Sequence, residues 1–287
     1  MRIATALKLG RVSNLPTVVT NAMAGFILAS QGMLNDAVFP VIVGAALAYV
    51  AGMFLNDAFD AEYDARLQPY RPIPSGLAGR GEVFGWGFGL LGASLALFVA
   101  AGFSGGTGWA AGTAGLVLAL TIVVYNRHHK ENAFGPVLMG MCRLLVYLTA
   151  ALAVVPAPGL ALYIGAGLLM AHVMGLTFIA KAEQSAGVGR YWPFLALAAA
   201  PIWGIYLALD NPVVWPFVIA LIVADGVAVK LVTLPKPDFG RVIPLLIAAI
   251  TLLDGMLIAQ MGQPVLAVVA CLCFPLTLFL QRWVRGT

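Results

Sequence analysis

Four acidic residues fall within eight consecutive positions of a chain that has only 12 in total: Asp57, Asp60, Glu62 and Asp64. On a helix, Asp57, Asp60 and Asp64 would be offset by three and four residues and would share one face. Carboxylates held that closely repel one another unless a cation neutralises them. The pattern therefore predicts a site for a hard divalent cation such as Mg2+, which takes oxygen ligands and often carries a phosphate group. An acidic, solvated loop is the alternative interpretation.

The composition indicates a membrane protein. Hydrophobic residues make up 61% of the chain and charged residues only 10%, with a mean hydropathy of +0.95, whereas soluble domains carry roughly a quarter charged residues. The net charge of +4 then reports on topology, and we expect no nucleic-acid partner because no basic patch is interleaved with aromatic residues. The three cysteines lie in apolar segments, which argues against both a disulfide framework and a zinc site.

Ten apolar segments are long enough to approach or span a bilayer. They cover residues 13–32, 37–55, 82–102, 108–125, 134–155, 158–180, 192–209, 212–231, 242–260 and 263–281. The first follows Arg2, Lys8 and Arg11 and resembles a signal peptide, but no small-residue cleavage site follows it, so we interpret it as a membrane helix. The sequence predicts an all-α, polytopic transmembrane bundle of nine to ten helices, forming a single domain over residues 1–287 and contacting membrane lipid.

The basic residues predict the orientation of this bundle. Fifteen of the 16 Lys and Arg residues lie at the two termini, in the connections 56–81, 126–133, 181–191 and 232–241, or at their edges. By the positive-inside rule these parts face the cytoplasm. We therefore expect a cytoplasmic N-terminus, cap loops at 56–81, 126–133 and 181–191, and a multi-pass protein of the bacterial plasma membrane whose site faces the cytoplasm.

Several charged residues need more than topology to explain them. Arg143 lies inside the fifth segment, where a buried cation costs several kcal/mol unless it is paired or solvated. The intramembrane acids Asp225 and Asp254 are functional candidates by default. Asp254 has no evident partner, so it belongs either to a proton or substrate path or to a neutral, hydrogen-bonded acid. His128 and His129 lack the spacing partner of a zinc site, and we assign them no role.

The segment N-D-A-F-D-A-E-Y-D resembles the first motif, N-D-x-x-D-x-x-x-D, of the UbiA superfamily of intramembrane prenyltransferases. Asn56 and the three aspartates match that motif in full, and R-P-I-P-S-G (71–76) resembles its usual continuation. Asn14, the Tyr125…Lys130 element and Arg143 also fit the family pattern.

The resemblance implies a Mg2+-dependent transfer of a polyprenyl group from its diphosphate to an aromatic or other lipophilic acceptor. It implies metal binding and catalysis by Asp57, Asp60 and Asp64. We also expect a catalytic role for Lys181, because of the departure from the family pattern described below. The residues expected to bind substrate are Asn14, Asn56, Arg71, Tyr125, Lys130, Arg143 and Glu183. A non-catalytic or transport protein that handles a lipophilic metabolite on the same scaffold is the alternative. It is supported by Asp254 and by the degraded second motif described below. A purely structural membrane partner is a third class.

The chain departs from the family at the second motif, which should be an acidic D-x-x-x-D stretch at the end of the sixth helix. The corresponding segment reads T-F-I-A-K-A-E-Q-S-A-G-V-G (177–189), in which only Glu183 is acidic. The Lys181 ammonium could neutralise phosphate oxygens as a point charge where a second metal ion would otherwise sit. This departure favours a divergent subgroup, such as the EboC-like branch.

Overall fold

A computed structural model describes residues 1–130, 132–183 and 192–284. Over these residues the chain is entirely helical, with short connections and no strand, which confirms the predicted all-α fold. The helices are α1 (Ile3–Leu9), α2 (Leu15–Ser30), α3 (Val38–Leu67), α4 (Arg80–Ser104), α5 (Ala110–His128), α6 (Gly135–Leu152), α7 (Leu160–Ala182), α8 (Trp192–Asp210), α9 (Trp215–Val232), α10 (Phe239–Gln260) and α11 (Pro264–Leu280). Short 3-10 turns precede α2 (Val12–Asn14) and α9 (Pro212–Val214).

Nine helices within the described ranges are long and apolar enough to cross a membrane, and the 17-residue α11 is a shorter apolar helix. Each of the ten predicted segments coincides with one helix from α2 to α11. Hydropathy alone sufficed for this prediction because a bilayer-crossing helix needs about 20 apolar residues whatever its neighbours are.

The helix α3 is longer than its predicted apolar segment. It runs for 30 residues to Leu67, so residues 56–67, expected to open a cap loop, are helical instead. The predicted loop boundary was wrong because hydropathy marks only where a helix leaves the lipid. A helix can continue into water beyond that point, as α3 does. The actual stop is Gln68, which has an extended φ of −139° and precedes Pro69, a position where the helical conformation is disfavoured. The predicted loops 126–133 and 181–191 likewise begin inside the last turns of α5 and α7.

Two large apolar clusters form most of the core, and a third, smaller cluster joins α1 to α3 and α4 through Leu9, Phe54 and Val83. Of the two large clusters, one gathers residues of α2 and α6 with α7 to α11, and the other gathers residues of α2 and α6 with α3, α4 and α5. The helices α2 and α6 therefore form the seam between the two halves of the bundle. They approach closely at Gly25, where a β-carbon would lie 2.7 Å from both the Cα and the carbonyl oxygen of Tyr147. Only glycine permits this contact, as is common where membrane helices pack tightly.

Candidate active site

A cavity of about 780 Å³ opens between α2, α3, α5, α6, α7 and α10, a volume within the usual range for small-molecule sites. Its apolar wall includes Val18, Leu118, Ile122, Val146, Leu176 and Ile250. Its polar residues come mainly from the ends of α3, α5 and α7. We call the group Asp60, His129, Lys130 and Lys181 the polar mouth of the cavity. The cavity thus joins a charged opening to an apolar interior.

The carboxylate of Asp60 lies in the polar mouth and is held by two cationic or potentially cationic groups. Its Oδ2 is 3.1 Å from Nζ of Lys130 and 3.4 Å from Nε2 of His129. The ammonium of Lys130 also lies 4.0 Å from the centre of the Tyr63 ring, and the His129 ring stacks on Tyr125 at 4.9 Å. These contacts fix the position of Asp60 relative to the segment that follows α5.

The other two aspartates of the motif lie behind the cavity wall. Nη1 of Arg71 contacts Oδ2 of Asp64 at 3.0 Å and Oδ1 of Asp57 at 3.4 Å, while Nη2 of Arg11 lies 3.5 Å from Asp57. Both arginines line the cavity, whereas both carboxylates are buried outside its lining. Arg71 is itself oriented by Gln68, whose Oε1 accepts a hydrogen bond of 2.6 Å from Nε. The two guanidinium groups therefore separate Asp57 and Asp64 from the cavity.

Asparagine side chains connect the helices around this site. Nδ2 of Asn56 donates to Oδ1 of Asn126 at 3.3 Å, and Nδ2 of Asn126 donates to the carbonyl of Gly52 at 3.0 Å. These bonds tie α3 to α5. Asn14, which lines the cavity, accepts a 2.9 Å hydrogen bond from Nε2 of Gln281, beyond the end of α11.

Lys181 and Glu183, both from the degraded second motif, have different positions. Lys181 lines the cavity, and its ammonium donates to the carbonyl of Asn132 at 2.8 Å. Within the described ranges it forms no ion pair with a carboxylate. Glu183 is exposed and lies outside the cavity lining, so the structure does not bring this predicted substrate-binding residue to the site. Residues 184–191, the rest of the predicted third cap loop, lie outside the described residues.

Arg143 lines the cavity from α6 and is held by residues of α2. Its Nη1 donates to Oδ1 of Asn21 at 2.6 Å, and its Nη2 donates to Oγ1 of Thr17 at 3.1 Å. The guanidinium carbon is 5.7 Å from the centre of the Tyr49 ring. Arg143 and Lys181 are therefore the cavity-lining Lys and Arg residues that contact no carboxylate directly in the part of the chain that the structure describes.

Asp254, for which the sequence shows no evident partner, has three hydrogen-bond partners in the structure. This carboxylate is fully buried in α10 and accepts hydrogen bonds from Thr20, Asn21 and Tyr147, at 2.5, 2.7 and 2.5 Å. Hydropathy could not reveal these partners, because they lie on α2 and α6, at least 107 positions away. Asp254 is also absent from the cavity lining. The transport alternative thereby loses one of its two supporting observations, and the degraded second motif is the one that remains.

The three carboxylates of the motif are suitable ligands for a hard cation, although in this structure each of them is paired with a Lys or Arg side chain. Three carboxylates supply oxygen ligands of the kind that Mg2+ prefers, and Oδ1 of Asp64 is buried without a hydrogen-bond partner. Across residues 1–130, 132–183 and 192–284, however, no three acidic, histidine or cysteine side chains are grouped to hold a metal ion. A cation between Asp57 and Asp64 would therefore have to displace Arg71.

Sequence reasoning missed His129, Arg11 and Asn126, all of which line the cavity. His129 follows Tyr125 by four residues, so the two share a helix face, and this spacing was an available signal. Arg11 lies three residues before Asn14 and has a left-handed backbone, with φ of 42°, which no sequence pattern announces. Asn126 is recognisable only from its contacts with α3.

No family model matches the chain. Comparison with individual proteins finds relatives named digeranylgeranylglyceryl phosphate synthase. The digeranylgeranylglyceryl phosphate synthase of Methanopyrus kandleri is 28% identical over 245 residues, which are 77% of this chain and 84% of that protein. The synthases of Methanoregula boonei and Saccharolobus solfataricus are 34% and 35% identical over 115 and 82 residues. The chain matches only 38% and 27% of the length of these two relatives.

The fold also matches a solved structure. A structure from work on digeranylgeranylglyceryl phosphate synthase in membranes superimposes with a TM-score of 0.59 at 19% sequence identity, covering 93% of this chain and 98% of that one. The likeness in fold extends over most of the chain. Together with the nine apolar helices of the described residues, it makes the chain a multi-pass integral membrane protein.

Proposed function

We infer that the chain belongs to the UbiA superfamily of intramembrane prenyltransferases, and on that premise we propose that it transfers a polyprenyl group from its diphosphate to a lipophilic acceptor. The observation that carries the proposal is the complete N-D-x-x-D-x-x-x-D face of α3, placed beside a cavity with a charged mouth and an apolar wall. A polyprenyl diphosphate has the same two parts, an anionic head and a long apolar chain.

The basic residues of the cavity would bind the diphosphate head. Lys130 and Lys181 lie in the polar mouth, and Arg71 lines the cavity beside the aspartates. Ammonium groups bind phosphate as point charges, and a guanidinium adds paired donors in a fixed geometry. Because Lys181 contacts no described carboxylate, its full charge is available to the ligand. This supports the hypothesis that Lys181 takes the place of the acidic second motif.

Asp57, Asp60 and Asp64 would hold Mg2+, with Asn56 as a neighbouring oxygen donor. When bound, the metal ion would supply positive charge that neutralises the diphosphate oxygens as they leave. The cations that now pair with these aspartates would then be released toward the phosphate groups.

The apolar wall and the cavity's tyrosines would act on the prenyl chain. A dry, apolar cavity excludes the water that would otherwise capture an allylic carbocation. Tyr49, Tyr63 and Tyr125 line the cavity, and aromatic faces attract cations. Breaking the carbon–oxygen bond would leave the electron pair on diphosphate, and a nucleophilic atom of the acceptor would then form the new bond to the allylic carbon and lose its proton.

A second cationic position in the same cavity would take the polar group of the acceptor. Arg143 is the ninth residue of α6, about 12 Å along the helix from its first residue at a rise of 1.5 Å per residue. The relatives are named for a product that carries a glyceryl phosphate and two geranylgeranyl groups. Prenylated glyceryl phosphates therefore belong among the acceptors to be tested, beside aromatic acids and phenols.

The test uses purified protein with radiolabelled prenyl diphosphates of several chain lengths and this acceptor panel, with Mg2+ and with EDTA. We expect acceptor-dependent release of diphosphate and transfer of label to a lipid product, only with Mg2+. Absence of diphosphate release with every donor and acceptor would overturn the proposal. The cytoplasmic orientation, the bacterial membrane and the EboC-like assignment stay predictions.

A further inference from the structure

A chain of buried hydrogen bonds connects Asp254 to Arg143 through the centre of the bundle. Nδ2 of Asn21 donates to Oδ2 of Asp254 at 2.7 Å, and Oδ1 of the same amide accepts from Nη1 of Arg143 at 2.6 Å. A carboxylate on one side and a guanidinium on the other fix which way the amide faces. Asn21 thus connects two opposite charges on α10 and α6 that do not touch.

Both carboxylate oxygens of Asp254 accept hydrogen bonds, which stabilise the negative charge of an ionised carboxylate. Tyr147 donates to its Oδ1 at 2.5 Å, and the Thr20 hydroxyl lies 2.5 Å from its Oδ2. Asn21 and Asp254 are both fully buried, and an unpaired charge at such a depth is strongly disfavoured. Neither Asp254 nor Asn21 lines the cavity, whereas Arg143 does.

We propose that Asp254 is the counter-charge of Arg143 and, acting through Asn21, holds the guanidinium at the cavity wall where it binds the acceptor. Asp254 and Asn21 are then positioning residues, and Arg143 is the residue that contacts the acceptor. Thr17 holds the other end of the guanidinium, which leaves three of its five N–H groups beyond these two bonds. The role in acceptor binding rests on the proposed function, whereas the pairing of the two charges does not.

The pairing is tested without substrate by a cycle of thermal unfolding measurements in detergent on the wild type, Asp254→Asn, Arg143→Met and the double variant. Each single variant leaves one buried charge without its counterpart, so each should lower Tm. The double variant removes both charges and should lower Tm by clearly less than the sum of the single losses. Additive losses would overturn the proposal, whether or not the protein transfers prenyl groups.

The positioning role is tested by steady-state kinetics with the donor and acceptor that the activity panel identifies. Asp254→Asn should raise the acceptor KM about tenfold or more and leave the donor KM within about twofold. The matched control is Asp225→Asn, because Asp225 is also a buried carboxylate of the membrane region and forms no hydrogen bond with its side-chain oxygens in the described residues. It should change neither KM. A coupled thermal cycle with an unchanged acceptor KM would reduce Asp254 to a structural residue and overturn its positioning role.

A double variant that moves the carboxylate keeps the proposal testable if Asp254→Asn does not fold. In Asn21→Asp/Asp254→Asn the acid and the amide exchange places, so the carboxylate meets Arg143 directly and the new amide at position 254 can donate to it. We expect this variant to regain Tm and, where the wild type is active, the acceptor KM. Failure of the exchange to improve on Asp254→Asn would contradict the proposal.

Discussion

Lys130 and Asp60 form an ion pair of 3.1 Å across the polar mouth, between the segment after α5 and the helix α3. The pair joins an expected phosphate-binding cation to an expected metal-binding carboxylate. Since both groups are already neutralised by each other, an incoming diphosphate with its cation exchanges one set of charge contacts for another. The site can therefore stay assembled without substrate.

Substitution of Asp60 should remove most of the activity. In Asp60→Asn the side chain keeps its shape but loses its charge, and we expect the rate of diphosphate release to fall about 100-fold or more, as when other groups that stabilise charge in a transition state are removed. Glu62→Gln is the control, because Glu62 lies on the same helix but is exposed and pairs with Arg80. Equal losses in both variants would contradict a role specific to Asp60.

Substitution of Lys181 should weaken donor binding. Removal of a charged hydrogen-bonding group costs about 1.5–3 kcal/mol, so Lys181→Ala should raise the donor KM roughly 10- to 100-fold. The control is Lys230→Ala, which removes an exposed lysine from the end of α9. A donor KM that is unchanged in Lys181→Ala would show that this lysine does not replace the second acidic motif.

Substitution of Arg71 should make stability depend on Mg2+. In Arg71→Met the carboxylates of Asp57 and Asp64 lose a shared partner, and loss of one partner from a buried ion pair costs about 3–5 kcal/mol. Without Mg2+ the Tm should therefore fall. With Mg2+ it should rise more than that of the wild type, because the cation no longer has to displace a guanidinium.

The control for this metal effect is Arg80→Met, which removes an arginine that pairs with Glu62 away from the cavity. Its response to Mg2+ should match that of the wild type. The measurement is thermal unfolding in detergent across a Mg2+ titration, so it needs no substrate. The same Mg2+-dependent rise in Arg71→Met and the wild type would argue against a metal between Asp57 and Asp64.

The close contact between α2 and α6 predicts a large effect from one methyl group. In Gly25→Ala the new β-carbon would lie 2.7 Å from backbone atoms of Tyr147, so the helices must separate, at a cost of about 1–3 kcal/mol. Gly167→Ala is the control, because a β-carbon at this helical glycine meets nothing within 4 Å and should leave Tm unchanged or raise it. A Tm for Gly25→Ala equal to that of Gly167→Ala would contradict the packing at the seam.

The sequence was sufficient for the number and order of the ten apolar helices α2 to α11, because crossing a bilayer imposes one requirement on each segment separately. It did not predict the seven-residue α1, which is too short to leave a hydropathy signal. It did not locate the end of α3, because hydropathy falls at Asn56 whereas the helix continues to Leu67. Residues 56–67 are more polar than the preceding segment but belong to the same helix. What stops the helix is the proline-rich stretch after Leu67, a separate local signal.

Only those site residues that lie close together in the sequence could be predicted from it. The motif residues of α3 were found because they lie close together in the sequence, from Asn56 to Asp64. The partners of Asp254 were not found, since Thr20, Asn21 and Tyr147 are brought to it by the packing of three helices. The sequence assigns His129 no role because it lacks the spacing partner of a zinc site, whereas in the structure its Nε2 lies 3.4 Å from Oδ2 of Asp60. Contacts of this kind depend on how helices rotate against one another, which hydropathy does not report.

The length of α3 would help to make the proposed reaction irreversible. Its 30 residues extend about 45 Å, beyond a hydrocarbon layer of about 30 Å, and the aspartates lie on the final turns. The carbon–oxygen bond would break at the boundary between two solvents. Diphosphate would dissolve in water while the enlarged lipid stayed in the bilayer, so the two products would part into separate phases and seldom meet again to reverse the transfer.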